Sequence, residues 1–417
     1  MTEQQEGEDP GGAWATLRTP YFRPLLASNF LQILAFQTAT IALQWLITGL
    51  TPSRTVIGMV GFVQFGAAAL LSPLGGVVAD RMRKRSILIG GRLALVITST
   101  ALAALVLTGT AQAWQGLLAA LCAGVVGALL GPATMTYVYD VASRARAARA
   151  VALNATATGS AMILGRAIGG VIIAAVGTAL TFGSAAGLFL VAAGLLLAIP
   201  ITGAPRPDAA ARHVLDDLRG GITYVWQNPP LRFVLLACCM TIFNGAVFPM
   251  RPVFARFVLG EGSSAYGAMA AAQGAGSLLA AATLTFFPIR RVGLVVVSSI
   301  WIYAWFVFAY AFADNLPFLL GVEFALGVTG QIWNISAMAG LQLVVPEDMR
   351  GRVMGLVFTV AQLGFIGHII VGALADQVGD RIALATFGAI ASLGLGILFI
   401  SGFRLISALR VGQTALR

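Results

Sequence analysis

Residues Gly75–Arg85 read GGVVADRMRKR. An apolar run ends at Ala79, Asp80 follows, Arg81, Arg83, Lys84 and Arg85 crowd the next positions, and a new apolar run opens at Ile87. So tight a charge cluster between two long apolar stretches is the turn between two membrane-crossing helices, on the side of the bilayer where basic residues collect.

The rest of the 417-residue chain has the same grammar: 58% of its residues are hydrophobic and only 10% charged, and its mean hydropathy is +0.88. Soluble domains carry about 25% charged residues. Apolar runs long enough for one bilayer crossing, about twenty residues each, lie near 25–50, 55–79, 86–109, 113–139, 151–177, 179–201, 231–258, 264–287, 294–313, 317–343, 352–375 and 382–405. They predict an all-α membrane protein with twelve transmembrane helices. The longest polar interval, near 202–230, is too short for a catalytic domain, so any function has to sit within the membrane. The acidic start TEQQEGEDPGG has no basic region followed by a short apolar core, and reads as a solvated tail rather than a cleavable signal.

Most of the 26 basic residues fall in alternate loops; only Arg54, Arg256 and Arg381 occupy the others, while Arg92, Arg166 and Arg251 lie inside spans. This one-sided pattern places both termini in the cytoplasm of a multi-pass protein of the cell membrane. The formal net charge of +10 is a topological signal, because the arginines are dispersed in short loops instead of forming the aromatic-laced basic surface that holds nucleic acid. Cys122, Cys238 and Cys239 lie in apolar helix without metal spacing, and no cofactor motif is found. The absence of a GxxxxGK[ST] loop removes the usual phosphate cradle for direct use of ATP.

The expected organisation is a tail at 1–22, a six-helix bundle at 23–201, a linker at 202–230, a second six-helix bundle at 231–406 and a tail at 407–417. Val214, Leu215, Leu218, Ile222, Val225 and Trp226 recur at helical spacing in the linker, predicting an amphipathic helix on the inner surface that Pro229 and Pro230 end. An echo between Arg149–Leu153 (RAVAL) and Arg352–Leu356 (RVMGL), each opening the fifth span of its half, suggests a parallel repeat around a central site. Asp80, at the end of one helix, can meet the positive amino-terminal end of a neighbour, an attraction of about 0.3–1 kcal/mol when exposed.

Gly76, Asp80, Arg81, Lys84 and Arg85 resemble the inner-loop pattern Gly-x-x-x-Asp-Arg-x-Gly-Arg-Lys/Arg of the major facilitator superfamily, with Arg83 standing at the usual Gly. That resemblance implies the two-bundle major facilitator fold, and a cytoplasmic gate in which Asp80 holds the start of the eleventh span, near Gly351. LRGGITYVWQNPPLR, PVFARFVLGEGSSAYGAMAAAQGAGSLLA and LQLVVPEDMRGRVMGL are similar to the superfamily's exporter branch of siderophore (enterobactin) exporters and macrolide efflux proteins. Gly165, Gly169 and Gly170 match part of the span-five pattern of its antiporters, while Ala161 and Arg166 replace its first Gly and its Pro. The resemblance implies export of a small amphiphilic molecule in exchange for protons by a monomer.

Ionisable groups inside a span cost at least ~2.5–3.5 kcal/mol and generally face a cavity or a partner. Arg92 lies near enough to the inner end of its span to snorkel; Arg166, near mid-span, must pair or line a cavity. Arg251 and Glu323 each fall about 10 Å below the outer end of their spans at 1.5 Å per residue, and so share a level. In the resembled fold, spans one, four, seven and ten line the cavity. That makes Arg251 and Glu323 a substrate and coupling pair: an anionic group takes Arg251, and Glu323 is then free to gain a proton. A static packing pair is the alternative. His368 is a second proton candidate or a packing residue. The cavity helices carry Asn29, Gln32, Gln37, Gln44, Trp45, Tyr137, Asn244, Gln331, Trp333 and Asn334, amides and indoles that suit a large, partly apolar ligand. A nutrient importer, a lysophospholipid flippase and a non-transporting scaffold are compatible with the same pattern. No nucleophile set, carboxylate pair or metal cluster within the spans points to an enzyme.

Overall fold

The computed structural model describes residues 16–142, 146–204, 214–287, 291–340 and 363–408, with a few positions between 345 and 360. Most of the two tails, linker residues 205–213 and the expected start of span eleven near Gly351 lie outside the described residues. The described elements are helical: α1 (Phe22–Leu50), α2 (Arg54–Arg81), α3 (Lys84–Leu107), α4 (Ala113–Val141) and α5 (Ala147–Leu197). They are followed by α6 (Val214–Gln227), α7 (Pro229–Val258), α8 (Ser263–Phe286), α9 (Val292–Tyr310), α10 (Leu316–Ile335), α11 (Gly364–Val378) and α12 (Asp380–Ala408).

Ten of these are long and apolar enough to cross a bilayer, and α11 is a shorter apolar helix. α5 accounts for two passes. Its 51 residues would span about 76 Å if straight, and Gly177, at φ 78° and ψ 176°, folds them into two arms. Only glycine takes such a backbone without strain. The charged loop Gly75–Arg85 joins α2 to α3, and two of its basic residues, Lys84 and Arg85, bind within the first half. Lys84 pairs with Asp140 of α4 at 2.8 Å. The Arg85 guanidinium donates to the carbonyls of Leu196 and Leu197 at the end of α5, where a helix carboxyl end favours positive charge.

Packing divides the protein in a way that fixes its conformation. One buried cluster, at the face opposite the basic loops, is shared by both halves: Ile41, Ile57, Val60 and Phe182 meet Met250, Phe254, Tyr266 and Val371. Nearer the basic face there are two separate clusters. Phe22, Leu88, Tyr137 and Leu196 belong to the first half, and Val225, Leu231, Val297 and Leu395 to the second.

Two seams join the halves. Along α2 and α11, contacts run from Thr55 against Asp376, through Phe62 against Phe365, to Gly66 beside Phe365. The remaining length of α2 exposes Leu70, Leu74 and Val77. Along α5 and α8 they run from Ser263 against Ile173, through Gly170 backed directly on Gly267, to Gly274 beside Ile163. Beyond that point Leu278, Leu279 and Phe286 of α8 are exposed. The halves are therefore joined at the far face and diverge toward the basic face.

Candidate functional site

α7 is the most broken of the spans. It passes through Met240 and Gly245, carries Pro249 and Pro252 on either side of Arg251, and ends in a π-turn at Phe254–Val258. A proline has no N–H, so Pro252 cannot bond the carbonyl of Phe248 one turn back. Gln44 of α1 supplies the missing donor: its Nε2 reaches the Phe248 carbonyl at 3.1 Å. Its Oε1 accepts from the Tyr266 hydroxyl of α8 at 2.7 Å. One amide thus ties the first half to two helices of the second. Trp45, half-buried beside it, stacks on Tyr266 at 5.5 Å, and the Arg256 guanidinium lies 5.5 Å from the centre of the Trp45 ring.

Arg251 and Glu323 meet in a two-point ion pair, Nε to Oε1 at 2.6 Å and Nη2 to Oε2 at 2.9 Å. The Tyr310 hydroxyl adds a third donor to Glu323 at 3.0 Å. The side chains are 4% and 0% exposed. A buried pair of this kind loses hydration on both ions and recovers it through mutual attraction and extra hydrogen bonds. All three groups come from the second half, from α7, α9 and α10.

Arg166 of α5 is placed differently. Its Nη1 donates to Gln273 Oε1 of α8 at 3.2 Å. With the Gln37 amide turned so that its oxygen faces the guanidinium, Gln37 accepts from Nε at 2.9 Å and from Nη2 at 3.3 Å. Arg251 and Glu323 act on it at electrostatic range. Arg92 does not snorkel. It is fully buried, with Nη1 on Ser28 Oγ (2.5 Å) and the Ala192 carbonyl (3.1 Å) and Nη2 on Asn29 Oδ1 (2.8 Å). Depth along a helix suggests escape to water; the helix face that Arg92 occupies points inward to α1 and α5.

The other predicted lining residues are spread along the protein. Asn29 also bonds Asn154 at 2.8 Å within the first half, and the Tyr137 hydroxyl donates to the Ile201 carbonyl at 2.6 Å. Gln32 and Asn244 are buried. Gln331 and Trp333 are half-buried and Asn334 is exposed, on the part of α10 nearer the basic face. His368 lies in the α2/α11 seam, its ring stacked on Phe248 at 4.9 Å and edge-on to Phe65 at 5.8 Å. Among the gate residues, Gly76 and Asp80 are half-buried and Arg81 exposed.

A latch on the far face has no counterpart in the sequence reading. Asp376, at the end of α11, accepts from the backbone N–H groups of Arg54 (2.7 Å) and Thr55 (2.9 Å) and from the Ser53 (3.0 Å) and Thr55 (2.6 Å) hydroxyls. It therefore caps the amino terminus of α2 from the opposite half, satisfying N–H groups that have no partner within their helix. Arg54 adds a two-point pair to Asp380, at 2.9 and 3.0 Å. The signal was present: Gly372-x-x-x-Asp376 repeats the spacing of Gly76-x-x-x-Asp80. Asp376→Asn is expected to cost the closed far face about 1 kcal/mol. The readout is labelling of a cysteine at Thr51 by a charged maleimide in the purified protein; an unchanged labelling rate would show that the cap holds nothing shut.

Comparison with known proteins agrees with this architecture. Residues 25–367 match the profile of the Major Facilitator Superfamily. The multidrug efflux pump Tap of Mycolicibacterium fortuitum is 27% identical over 360 residues, covering 81% of this chain and 85% of that protein. The enterobactin exporter EntS of Shigella boydii serotype 4 is 24% identical over 414 residues, covering 91% of each. Among solved structures, an inward-facing, unoccupied bacterial homolog of the human lysosomal transporter Spinster superposes with a TM-score of 0.70 at 15% identity, covering 94% of this chain and 98% of that one. A single-site mutant of the peptide transporter POT gives 0.73 at 12% identity, covering 93% and 95%. With its two helical bundles, its seams and a profile match over most of its length, the chain belongs to the Major Facilitator Superfamily, as a multi-pass membrane transport protein and not an enzyme.

Proposed function

We propose that the protein exports a small amphiphilic molecule, of siderophore, macrolide or related drug and metabolite chemistry, by proton antiport with alternating access. It acts as a monomer in the cell membrane with both termini in the cytoplasm. The basic face is then cytoplasmic, and the conformation seen here opens inward. The observation that carries the reading is the ion knot of Arg251, Glu323 and Tyr310, which has no stabilising need to be ionic: apolar residues of similar volume commonly hold a core as well or better. The efflux relatives Tap and EntS support the outward direction.

In the proposed cycle, cargo enters between the halves from the basic face while the far face stays shut by the Asp376 cap, the Arg54–Asp380 pair and the Gln44 clasp. After the halves rock, Glu323 gains a proton from outside. Neutralising the carboxylate ends the ion–ion attraction of the knot, so that α7 and α10 can part and the second half repacks as cargo leaves. Return to the inward-open state lets the proton leave, and the knot re-forms.

The test is uptake of radiolabelled siderophore and macrolide candidates into inverted membrane vesicles. Accumulation is expected when the lumen is acidified and is expected to collapse with a protonophore. Glu323→Gln, which keeps shape but cannot cycle a proton, should abolish the gradient-driven component while leaving counterflow exchange. Gradient-driven accumulation by Glu323→Gln at the wild-type rate would remove the coupling role.

A further inference from the structure

The three arginines inside the spans are held in three different ways. Arg251 is sealed in the second half and neutralised at two points by Glu323. Arg92 is sealed in the first half, against a hydroxyl, an amide and a carbonyl. Arg166 is only half-buried. No carboxylate among the described residues pairs with it, and its acceptors are two neutral amides, Gln37 from its own half and Gln273 from the other.

We propose that Arg166 is the docking point for a planar organic anion, a carboxylate above all, borne on the amphiphile that the protein exports. The inference rests on the export reading for its cargo, but it concerns binding alone. Three observations carry it. First, position: Arg166 lies one helical turn to the basic-face side of Gly170, where α5 backs onto Gly267 of α8. It therefore lies within the basic-face end of the α5/α8 seam, one turn from the last contact between those helices, Ile163 against Gly274, and next to the space that diverges beyond it. Second, charge: Arg166, Arg251 and Glu323 act on one another at electrostatic range. With Glu323 committed to Arg251, the group carries one uncompensated positive charge. Third, exchange chemistry: a guanidinium fork matches a carboxylate at two points, and a carboxylate adds an ion–ion attraction that the neutral Gln273 amide cannot supply. A carboxylate can therefore displace Gln273.

That displacement has a structural consequence. The Arg166–Gln273 bond joins the two halves. An anion that takes its place cuts an inter-half tie within the α5/α8 seam, so loading itself would loosen the seam that must open next. A lipophilic cation would meet the uncompensated charge and gain nothing from the fork.

The experiment uses the purified full-length protein in zwitterionic nanodiscs, with tryptophan-to-pyrene energy transfer as the readout. Three probes share one apolar body: 1-pyrenebutyrate, its methyl ester, and the corresponding trimethylammonium compound. The wild type is expected to bind pyrenebutyrate more tightly than either. Arg166→Gln should weaken pyrenebutyrate about tenfold or more, with ester binding changed less than about twofold; Arg166→Lys should fall between. Gln273→Met, which leaves Arg166 intact and removes its competitor, should tighten pyrenebutyrate severalfold, and this arm stands if Arg166→Gln fails to fold. Equal weakening of acid and ester in Arg166→Gln, loss of pyrenebutyrate binding in Gln273→Met, or no preference of the wild type for the acid would each overturn the assignment. No gradient is applied, so failure of proton-driven export in vesicles would leave these results standing, and anion-blind binding would leave export standing.

Discussion

Arg251→Ala is expected to destabilise the protein by about 3–5 kcal/mol and to abolish transport. The replacement leaves the Glu323 carboxylate in a fully buried site, without its ion partner and with the Tyr310 hydroxyl as its remaining side-chain donor among the described residues. The double variant Arg251→Met with Glu323→Leu is expected to regain most of that stability, because it removes both desolvation costs and fills the space with apolar atoms. It should still not transport. Denaturant titration in mixed micelles measures the first effect and vesicle uptake the second. A static packing pair predicts that stability and transport recover together in the double variant, and that result would strip the knot of its proposed role in the cycle. A wild-type midpoint for Arg251→Ala would show that water reaches Glu323 in the resting state.

The second large effect is expected at the α5/α8 crossing. Gly170 and Gly267 are in backbone-to-backbone contact, and a Cβ on either would overlap the other's main chain. Neither backbone can yield as a flexible side chain would. Overpacking of this kind costs about 1–3 kcal/mol, and here it falls only on the state in which the far face is shut. A shift of that size moves a two-state balance by roughly five- to more than a hundredfold. Gly267→Leu is therefore expected to hold the protein open on the far face and to stop turnover while leaving it folded. Spin labels at Thr110 and Glu261, both exposed on far-face loops, should move apart in double electron–electron resonance. An unchanged distance distribution with normal transport would mean that the closed state places no steric demand at this crossing.

Much of this was legible in sequence because the membrane makes a few signals strong. Span length and basic-loop asymmetry carry the fold, and a shared depth brings Arg251 to Glu323 without any knowledge of packing. Less visible was whatever depends on which face a residue occupies. Arg92 sits near a helix end, yet faces inward and is sealed. Gln273, Tyr266 and Tyr310 are uncharged and so escape a search for costly ions, although they hold or link the groups that such a search finds. The Asp376 cap escaped for another reason: rules of topology count arginines and disregard acids, so an acid outside the basic face attracts no notice. The Gly177 turn, by contrast, falls where the expected spans 151–177 and 179–201 part.

The cap of Asp376 on α2 bears on what sets the direction of transport. α2 and α11 run oppositely through the membrane, and each ends in a Gly-x-x-x-Asp stretch. In the proposed cycle Asp80 would do for α11 at the cytoplasmic face what Asp376 does for α2 at the outer one. The two helices then behave as a see-saw, in which seating one carboxylate on a partner's amino terminus requires unseating the other. Like is exchanged for like, so the protein itself is left almost indifferent between its two end states. Net movement is decided by the solutions on either side, and reversing the proton gradient should make the same molecule run backward.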